Sequence, residues 1–147
     1  MPIAEPAQGS DEETLWNSAL RLQVTEYLSR QGILHGQIGD APAWSVFPYV
    51  SIWAIESGTS PGWVGWWVIC GDCPTDYTTC TGDRTPRAAV EDFSSRWRAA
   101  SVAMFRGDRL PNFSVGNSEN AGELAPLLES RAQLLAEWAL DDTLWEA

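Results

Sequence analysis

Two consecutive apolar segments, separated by a short polar turn, constrain the fold of this chain more than any other feature. The segments are Tyr49-Val-Ser-Ile-Trp-Ala-Ile-Glu-Ser57 and Trp63-Val-Gly-Trp-Trp-Val-Ile-Cys70. β-Branched and aromatic residues are frequent in both, and the intervening Gly58-Thr-Ser-Pro-Gly62 is typical of a turn. The pattern predicts an antiparallel β-hairpin with strands at 49–57 and 63–70.

The register of this hairpin decides which residues share a face of the sheet. If Ser57 pairs with Trp63, Trp53 lies opposite Trp67. The other face then carries Val50, Ile52, Ala54, Glu56, Val64, Trp66, Val68 and Cys70. Both faces are largely apolar, so helices, another segment or a second subunit must cover each of them. A homodimer is therefore one arrangement that this sequence allows.

Three segments with helical periodicity are available as cover. They are predicted at about 12–31, at about 86–106 after Thr85 and at about 125–140 around Pro126. The first has an apolar stripe of Leu15, Trp16, Ala19, Leu20, Tyr27 and Leu28. Asn112–Val115 is a candidate short strand, and residues 1–10 suit a flexible terminus. These elements predict one α+β domain, residues 1–147, in which an antiparallel hairpin or small sheet packs against about three helices.

The charge composition excludes several functional classes. The 147 residues contain nine basic residues, all of them Arg, and 20 acids, which gives a net charge of −11. Such a chain is poorly suited to phosphates or anionic lipids, so we expect neither a nucleic-acid nor a membrane partner. The absence of Lys excludes Schiff-base chemistry and a Walker-type phosphate loop. Without a signal-peptide pattern or a run of about 18 apolar residues, we expect a cytoplasmic protein.

The cysteines raise the question of a metal or redox site. Cys70 and Cys73 have the spacing of a zinc-ligand pair, and Cys80 and His35 could complete a Cys₃His set. However, a structural zinc site normally has a second close pair, and a redox motif opens a helix, which is not predicted here. We therefore expect three free thiols, no zinc, no disulfide and no other cofactor. His35, beside Gly36, is interpreted as a loop residue.

One carboxylate of the hairpin is a candidate catalytic group. Glu56 would share a face with Ala54, Val64 and Trp66, where desolvation would raise its pKa and suit it to acid–base chemistry. The alternatives are a position at the solvent end of the strand, or an ion pair with Arg96 or Arg98.

The loop after the second strand carries further candidates. Asp72, Asp76 and Tyr77 are predicted to lie near Phe47, as a rim of acids beside exposed aromatic surface. Turn formation is the alternative role of these acids. The candidate binding residues are Asp72, Asp76, Tyr77, Phe47, Trp63 and Trp66.

The segment Ala43-Trp-Ser-Val-Phe-Pro-Tyr-Val-Ser-Ile-Trp-Ala-Ile-Glu-Ser57, with Pro61-Gly-Trp-Val-Gly-Trp-Trp-Val-Ile-Cys-Gly-Asp72 and Pro74-Thr-Asp-Tyr77, resembles a bacterial family of domains of unknown function. The resemblance begins at about His35 and extends more loosely to 123–131 and 137–138, so it covers most of the chain. It implies no activity, cofactor or catalytic residue. An apolar residue often stands in that family where this chain has Cys73, which counts against a shared role for a Cys pair.

Small size, acidity and surplus Trp together favour an interaction module that binds a basic protein partner, such as a toxin-neutralising immunity protein or an adaptor. The alternative is a small-ligand-binding protein or enzyme with a Trp-lined pocket, in which Glu56, Asp72 or Asp76 supplies the polar group. No set of residues in the sequence specifies a reaction, so we favour binding over catalysis.

Overall fold

The computed structural model describes residues 11–81, 84–107 and 121–145, so the predictions for 1–10 and for a strand at Asn112–Val115 lie outside it. The helices are α1 (Asp11–Gln31), α2 (Pro86–Arg106), α3 (Ala121–Leu140) and a short 3₁₀ helix (Asp142–Leu144). The strands are β1 (His35–Ile38), β2 (Trp44–Val46), β3 (Val50–Ser57), β4 (Val64–Gly71) and β5 (Asp76–Thr79). The fold is α+β, as predicted.

The described residues divide into two compact units, with the boundary between Tyr77 and Thr78. The first contains α1 and most of the sheet, and the second contains α2 and α3. The expectation of one domain stays a prediction. Each helix among the described residues is too short or too polar to cross a bilayer.

The sheet is built around the hairpin β3–β4. The strand order is β1-β3-β4-β5, and β2 pairs with β3 on the same edge as β1. Strands β1, β2 and β4 all run antiparallel to β3. The hairpin strands lie within one residue of their predicted bounds. The three other strands were not predicted, since segments of three or four residues carry too little periodicity to identify.

The predicted register holds at the turn end of the hairpin. The Ser57 amide donates to the Trp63 carbonyl at 2.8 Å, and Glu56 pairs with Val64. The register then shifts, which leaves Gly65 as an extra residue in β4. A Cβ at Gly65 would lie 2.9 Å from the Ser57 Cα, so the bulge favours a residue without a side chain.

Beyond this bulge the predicted register is wrong by one residue. Trp53 pairs with Val68, and Trp67 pairs with Ala54, rather than Trp53 with Trp67. A shift of one residue exchanges the two faces of a strand. Trp66 therefore lies on the same face of the sheet as Trp53. It was predicted to lie on the other face, which carries Glu56.

Helix α1 covers the face of the sheet that carries Trp53. The buried cluster comprises Leu20, Val24, Tyr27, Leu28, Ile38, Trp53, Ile55, Val68 and Cys70. The predicted stripe is right for Leu20, Tyr27 and Leu28 but wrong for Leu15, which is 71% exposed, and for Ala19, which is also exposed. Only one sector of a helix can face the sheet, and Leu15 lies on the opposite side of α1.

The second unit contains an antiparallel pair of helices. Thr85 caps α2 by accepting a hydrogen bond from the Ala88 amide at 3.1 Å, as its position before Pro86 predicts. Ser94 of α2 donates to the Ala132 carbonyl of α3 at 2.8 Å. Helix α3 begins about four residues earlier than predicted, because Pro126 lies inside the helix rather than near its start.

Candidate functional site

An open cleft lies at the turn end of the hairpin, on the face of the sheet opposite α1. Its volume is about 270 Å³, and it is lined by β1 with the loop that follows, by β3, and by the hairpin turn: Gln37, Ile38, Gly39, Asp40, Ala54, Glu56, Gly62, Trp63 and Val64. The Trp63 side chain is 70% exposed. The cleft therefore presents an accessible indole beside two carboxylates.

Two backbone amides hold the Glu56 carboxylate in the cleft. The Gln37 amide donates to Oε1 and the Gly62 amide donates to Oε2, both at 2.8 Å. These bonds lower the pKa of Glu56 because they stabilise its ionised form, and they outweigh the opposing effect of desolvation. The prediction that burial raises this pKa is wrong, as is the predicted shared face with Trp66. The two bonds therefore hold the carboxylate in place and favour its ionised form, and its role as a catalytic group stays a prediction.

We expect the stabilisation that Glu56 provides to depend on pH. Its pKa is lower in the folded chain than the ordinary value of 4.5, so the stabilisation is present above that value and is lost as the pH falls through the folded pKa. Urea unfolding of the wild type and Glu56→Gln should therefore show a larger difference at pH 7 than at pH 3. The same difference at both pH values would show that the two amides do not favour the ionised form.

Gly36 provides the space that this carboxylate occupies. A Cβ at Gly36 would overlap Glu56 Oε1 and lie 2.8 Å from its Cδ. Any larger residue would therefore push the carboxylate away from the amides of Gln37 and Gly62. Neither Gly36 nor Asp40 was predicted from the sequence to be a site residue. A glycine opposite a strand carboxylate is a usable signal, but only once the pairing of β1 with β3 is known.

Arg21 of α1 fixes the edge of the cleft. Its Nε donates to the Gly39 carbonyl and its Nη2 to the Ile38 carbonyl, both at 2.9 Å. These bonds cap the end of β1 and hold the segment that carries Asp40. Within residues 11–81, 84–107 and 121–145, no basic side chain forms an ion pair with Glu56 or Asp40. Arg96, one of the partners considered for Glu56, pairs instead with Asp92 on its own helix.

Other predicted binding residues lie at the opposite end of the hairpin. The Asp72 amide donates to the Tyr49 carbonyl at 2.6 Å, so the chain leaving β4 does return to the start of β3. Asp72 is exposed, whereas Asp76 is only 4% exposed, and its Oδ1 accepts a hydrogen bond from the Tyr77 amide. Strand geometry places this end about 20 Å from Glu56. The two aspartates therefore do not line the cleft.

The prediction that Asp76 and Tyr77 lie on an exposed loop is wrong. Asp76 and Tyr77 begin a strand rather than a loop, and Asp76 is buried. The Phe47 ring packs edge-on against Trp16 with centroids 5.2 Å apart, and Trp66 packs partly buried against the cluster under α1. The role of these residues in binding stays a prediction.

We expect the two aspartates to differ in their effect on stability. Asp76→Ala removes a buried acceptor and should lower the free energy of unfolding by about 1–3 kcal/mol. Asp72→Ala alters an exposed side chain and should change it by no more than about 0.5 kcal/mol. Urea unfolding of the two single variants measures both values. Similar losses of unfolding free energy would contradict the conclusion that Asp76 is buried and Asp72 is exposed.

The cysteines and His35 do not come together as a metal site. Among the described residues, no group of three or more His, Cys, Asp or Glu side chains could hold a metal ion. All three cysteines are free, and burial raises the pKa of the Cys70 thiol to about 11. His35 lies in β1 rather than in the predicted loop, with its Nδ1 2.6 Å from the Gly36 carbonyl oxygen. Cys73 and Cys80 are partly exposed.

The structure therefore defines an α+β protein with an open cleft in which a fixed carboxylate, a second acid and an exposed indole meet. The chain belongs to the family described as "Domain of unknown function (DUF4826)", whose model matches residues 10–145. This match confirms that the chain is a member of a family of domains of unknown function. No curated protein and no solved structure shows a significant match.

Proposed function

We propose that this protein is a cytoplasmic, acidic interaction module that binds a basic protein partner through the cleft at the turn end of its hairpin. The observation that carries this proposal is the 70% exposure of Trp63 beside Glu56. A large aromatic side chain flanked by polar groups is typical of the residues that contribute most to protein interfaces. The net charge of −11 favours encounter with a basic partner.

The surface around the cleft supports a protein partner. Leu34 is 79% exposed and lies against Gly58 in the hairpin turn, so a second exposed apolar side chain belongs to the same end of the sheet. The Glu56 carboxylate is already held by two amides, which reduces the entropy lost when a partner binds it. Fixed charge and accessible apolar surface together suit a specific interface.

A toxin-neutralising immunity protein or an adaptor is the specific form of this proposal, supported by small size and acidity. The cleft also favours a second function, the binding of a small cationic ligand. A small-ligand-binding protein or enzyme whose pocket uses Asp72 or Asp76 has less support, because neither residue lines the cleft and Asp76 is buried.

A pull-down from the native cell with matched baits tests the proposed function. The baits are the wild type, Trp63→Ala, and Leu22→Ala as a control that removes an equally accessible side chain from α1, outside the cleft. Captured proteins are then purified and titrated by calorimetry. We expect a basic protein whose affinity falls about 30-fold with Trp63→Ala, is unchanged with Leu22→Ala, and decreases as salt is added.

Two results would contradict the proposed function. One is a set of partners that are acidic or neutral and bind without salt dependence. The other is a basic partner that binds Trp63→Ala as tightly as the wild type, which would place the interface away from the cleft.

A further inference from the structure

We propose that the cleft binds one arginine side chain of the partner, and we call this site the arginine seat. The guanidinium stacks on Trp63 and pairs with the carboxylate of Glu56. This inference rests on the proposed function, since it names the chemical group that a basic partner inserts. Three features support it: the acceptor sites of Glu56, the exposure of Trp63 and the hydrogen bonds that occupy the Arg21 side chain.

The Glu56 carboxylate keeps acceptor sites that a guanidinium can use. Each of its oxygens accepts one backbone N–H, from Gln37 and from Gly62. A carboxylate has about four acceptor sites, so each oxygen retains one of them. Two oxygens held in a fixed plane match the paired N–H groups of an arginine, which form parallel hydrogen bonds to a carboxylate. A lysine ammonium is a point charge and gains less from this arrangement.

Trp63 supplies the second recognition element. Trp63 lines the same cleft as Glu56 and is 70% exposed. A guanidinium is planar and weakly hydrated, so it stacks on an aromatic ring more favourably than an ammonium does. The cleft volume of about 270 Å³ is below the range of about 300–1,000 Å³ that is usual for pockets of drug-sized ligands. It suits a single side chain.

The charges around the cleft support a cation from another molecule. Asp40 is exposed and adds a second negative charge to the lining. Arg21 does not line the cleft, and its guanidinium donates to the carbonyls of Ile38 and Gly39, which do. Hydrogen bonds to the backbone therefore occupy the Arg21 side chain, and it does not neutralise Glu56.

Nuclear magnetic resonance of the tryptophan indoles in the full chain tests the arginine seat. The Trp63 N–H signal is assigned by its loss in Trp63→Phe. The probes are three blocked tripeptides, acetyl-Gly-Xaa-Gly-amide, in which Xaa is arginine, lysine or citrulline. We expect a saturable shift of the Trp63 signal with the arginine peptide, at least about threefold weaker binding of the lysine peptide, and no saturable shift with citrulline, which has the shape of arginine without its charge.

Variants identify the groups responsible. Glu56→Gln should weaken the arginine peptide about tenfold. Because this change also disturbs the local backbone, Asp40→Asn serves as a second variant, and it should weaken binding about threefold without altering stability. Asp72→Asn is the matched control, since it removes an exposed acid about 20 Å from the cleft and should leave binding unchanged.

The outcomes separate the arginine seat from the proposed function. Equal binding of the arginine and lysine peptides, or arginine binding that Glu56→Gln leaves unchanged, would overturn the seat. If no peptide shifts Trp63 but Trp63→Ala still releases the basic partner, the seat is wrong and the proposed function stands. If Trp63→Ala also retains the partner, both are wrong.

Discussion

Replacing Trp53 with alanine should reduce the free energy of unfolding by about 3–5 kcal/mol. Trp53 is fully buried in the cluster beneath α1, and its Nε1 donates to Ser51 Oγ at 2.8 Å. The substitution opens a cavity and removes the hydrogen bond that the indole donates to a buried hydroxyl. Trp67→Ala should have a cost in the same range, because Trp67 is only 6% exposed.

Two phenylalanine variants separate packing from hydrogen bonding. Trp67 Nε1 is buried and has no hydrogen-bond partner among the described residues, so Trp67→Phe loses packing alone. Trp53→Phe also loses the hydrogen bond to Ser51, so it should lower the free energy of unfolding by about 1 kcal/mol more than Trp67→Phe does. Urea unfolding provides all four values. A loss below about 1 kcal/mol for either alanine variant would contradict the burial of that indole, and equal phenylalanine costs would contradict the role of the Ser51 bond.

The helices could be predicted from the sequence because their signals are local and mutually consistent. For α2, Thr85, Pro86 and Gly107 mark the two ends independently of the apolar spacing between them. The observed bounds, Pro86–Arg106, agree with the prediction for this reason. For α3 a single signal, Pro126, was available, and it was assigned to the wrong position in the helix.

The pairing within the hairpin could be predicted only as far as the turn determines it. Ser57 and Trp63 lie next to the turn and form the expected pair. Gly65 then shifts the register, and every later pair depends on that one residue. A glycine inside a strand is a known signal of a bulge, but the sequence does not show whether a particular glycine is paired.

The chemistry of the cleft could be predicted only in part, because its determinants come from distant segments. Glu56 and Trp63 were both identified as candidates. The charge state of Glu56 was not, since it depends on the Gln37 amide, which lies 19 residues away and belongs to a strand too short to recognise. Asp40 enters the site through the loop after the same strand.

Replacing Gly71 with alanine should destabilise the chain more than the same change at Gly62, although both residues have positive φ, 129° and 87°. At Gly62 a Cβ would meet nothing within 4 Å, so the cost is backbone strain of about 1 kcal/mol. At Gly71 it would overlap the Tyr49 carbonyl oxygen and lie 3.1 Å from the Val50 Cα. The variant then has a backbone strain of about 1–3 kcal/mol and, in addition, the cost of relieving the steric overlap with the backbone.

This pair of variants should affect stability and binding in opposite order. The Tyr49 carbonyl also accepts the Asp72 amide, so relief of the overlap at Gly71 breaks the end of the hairpin that lies far from the cleft. Gly62 costs less stability, but its amide holds Glu56 Oε2, and a strained backbone there moves the carboxylate. Urea unfolding should therefore rank Gly71→Ala as the more damaging change, whereas titration of the folded variants with the arginine peptide should rank Gly62→Ala as the weaker binder. If Gly71→Ala were the more damaging change in both measurements, peptide binding would depend only on the stability of the sheet. The turn would then not position Glu56.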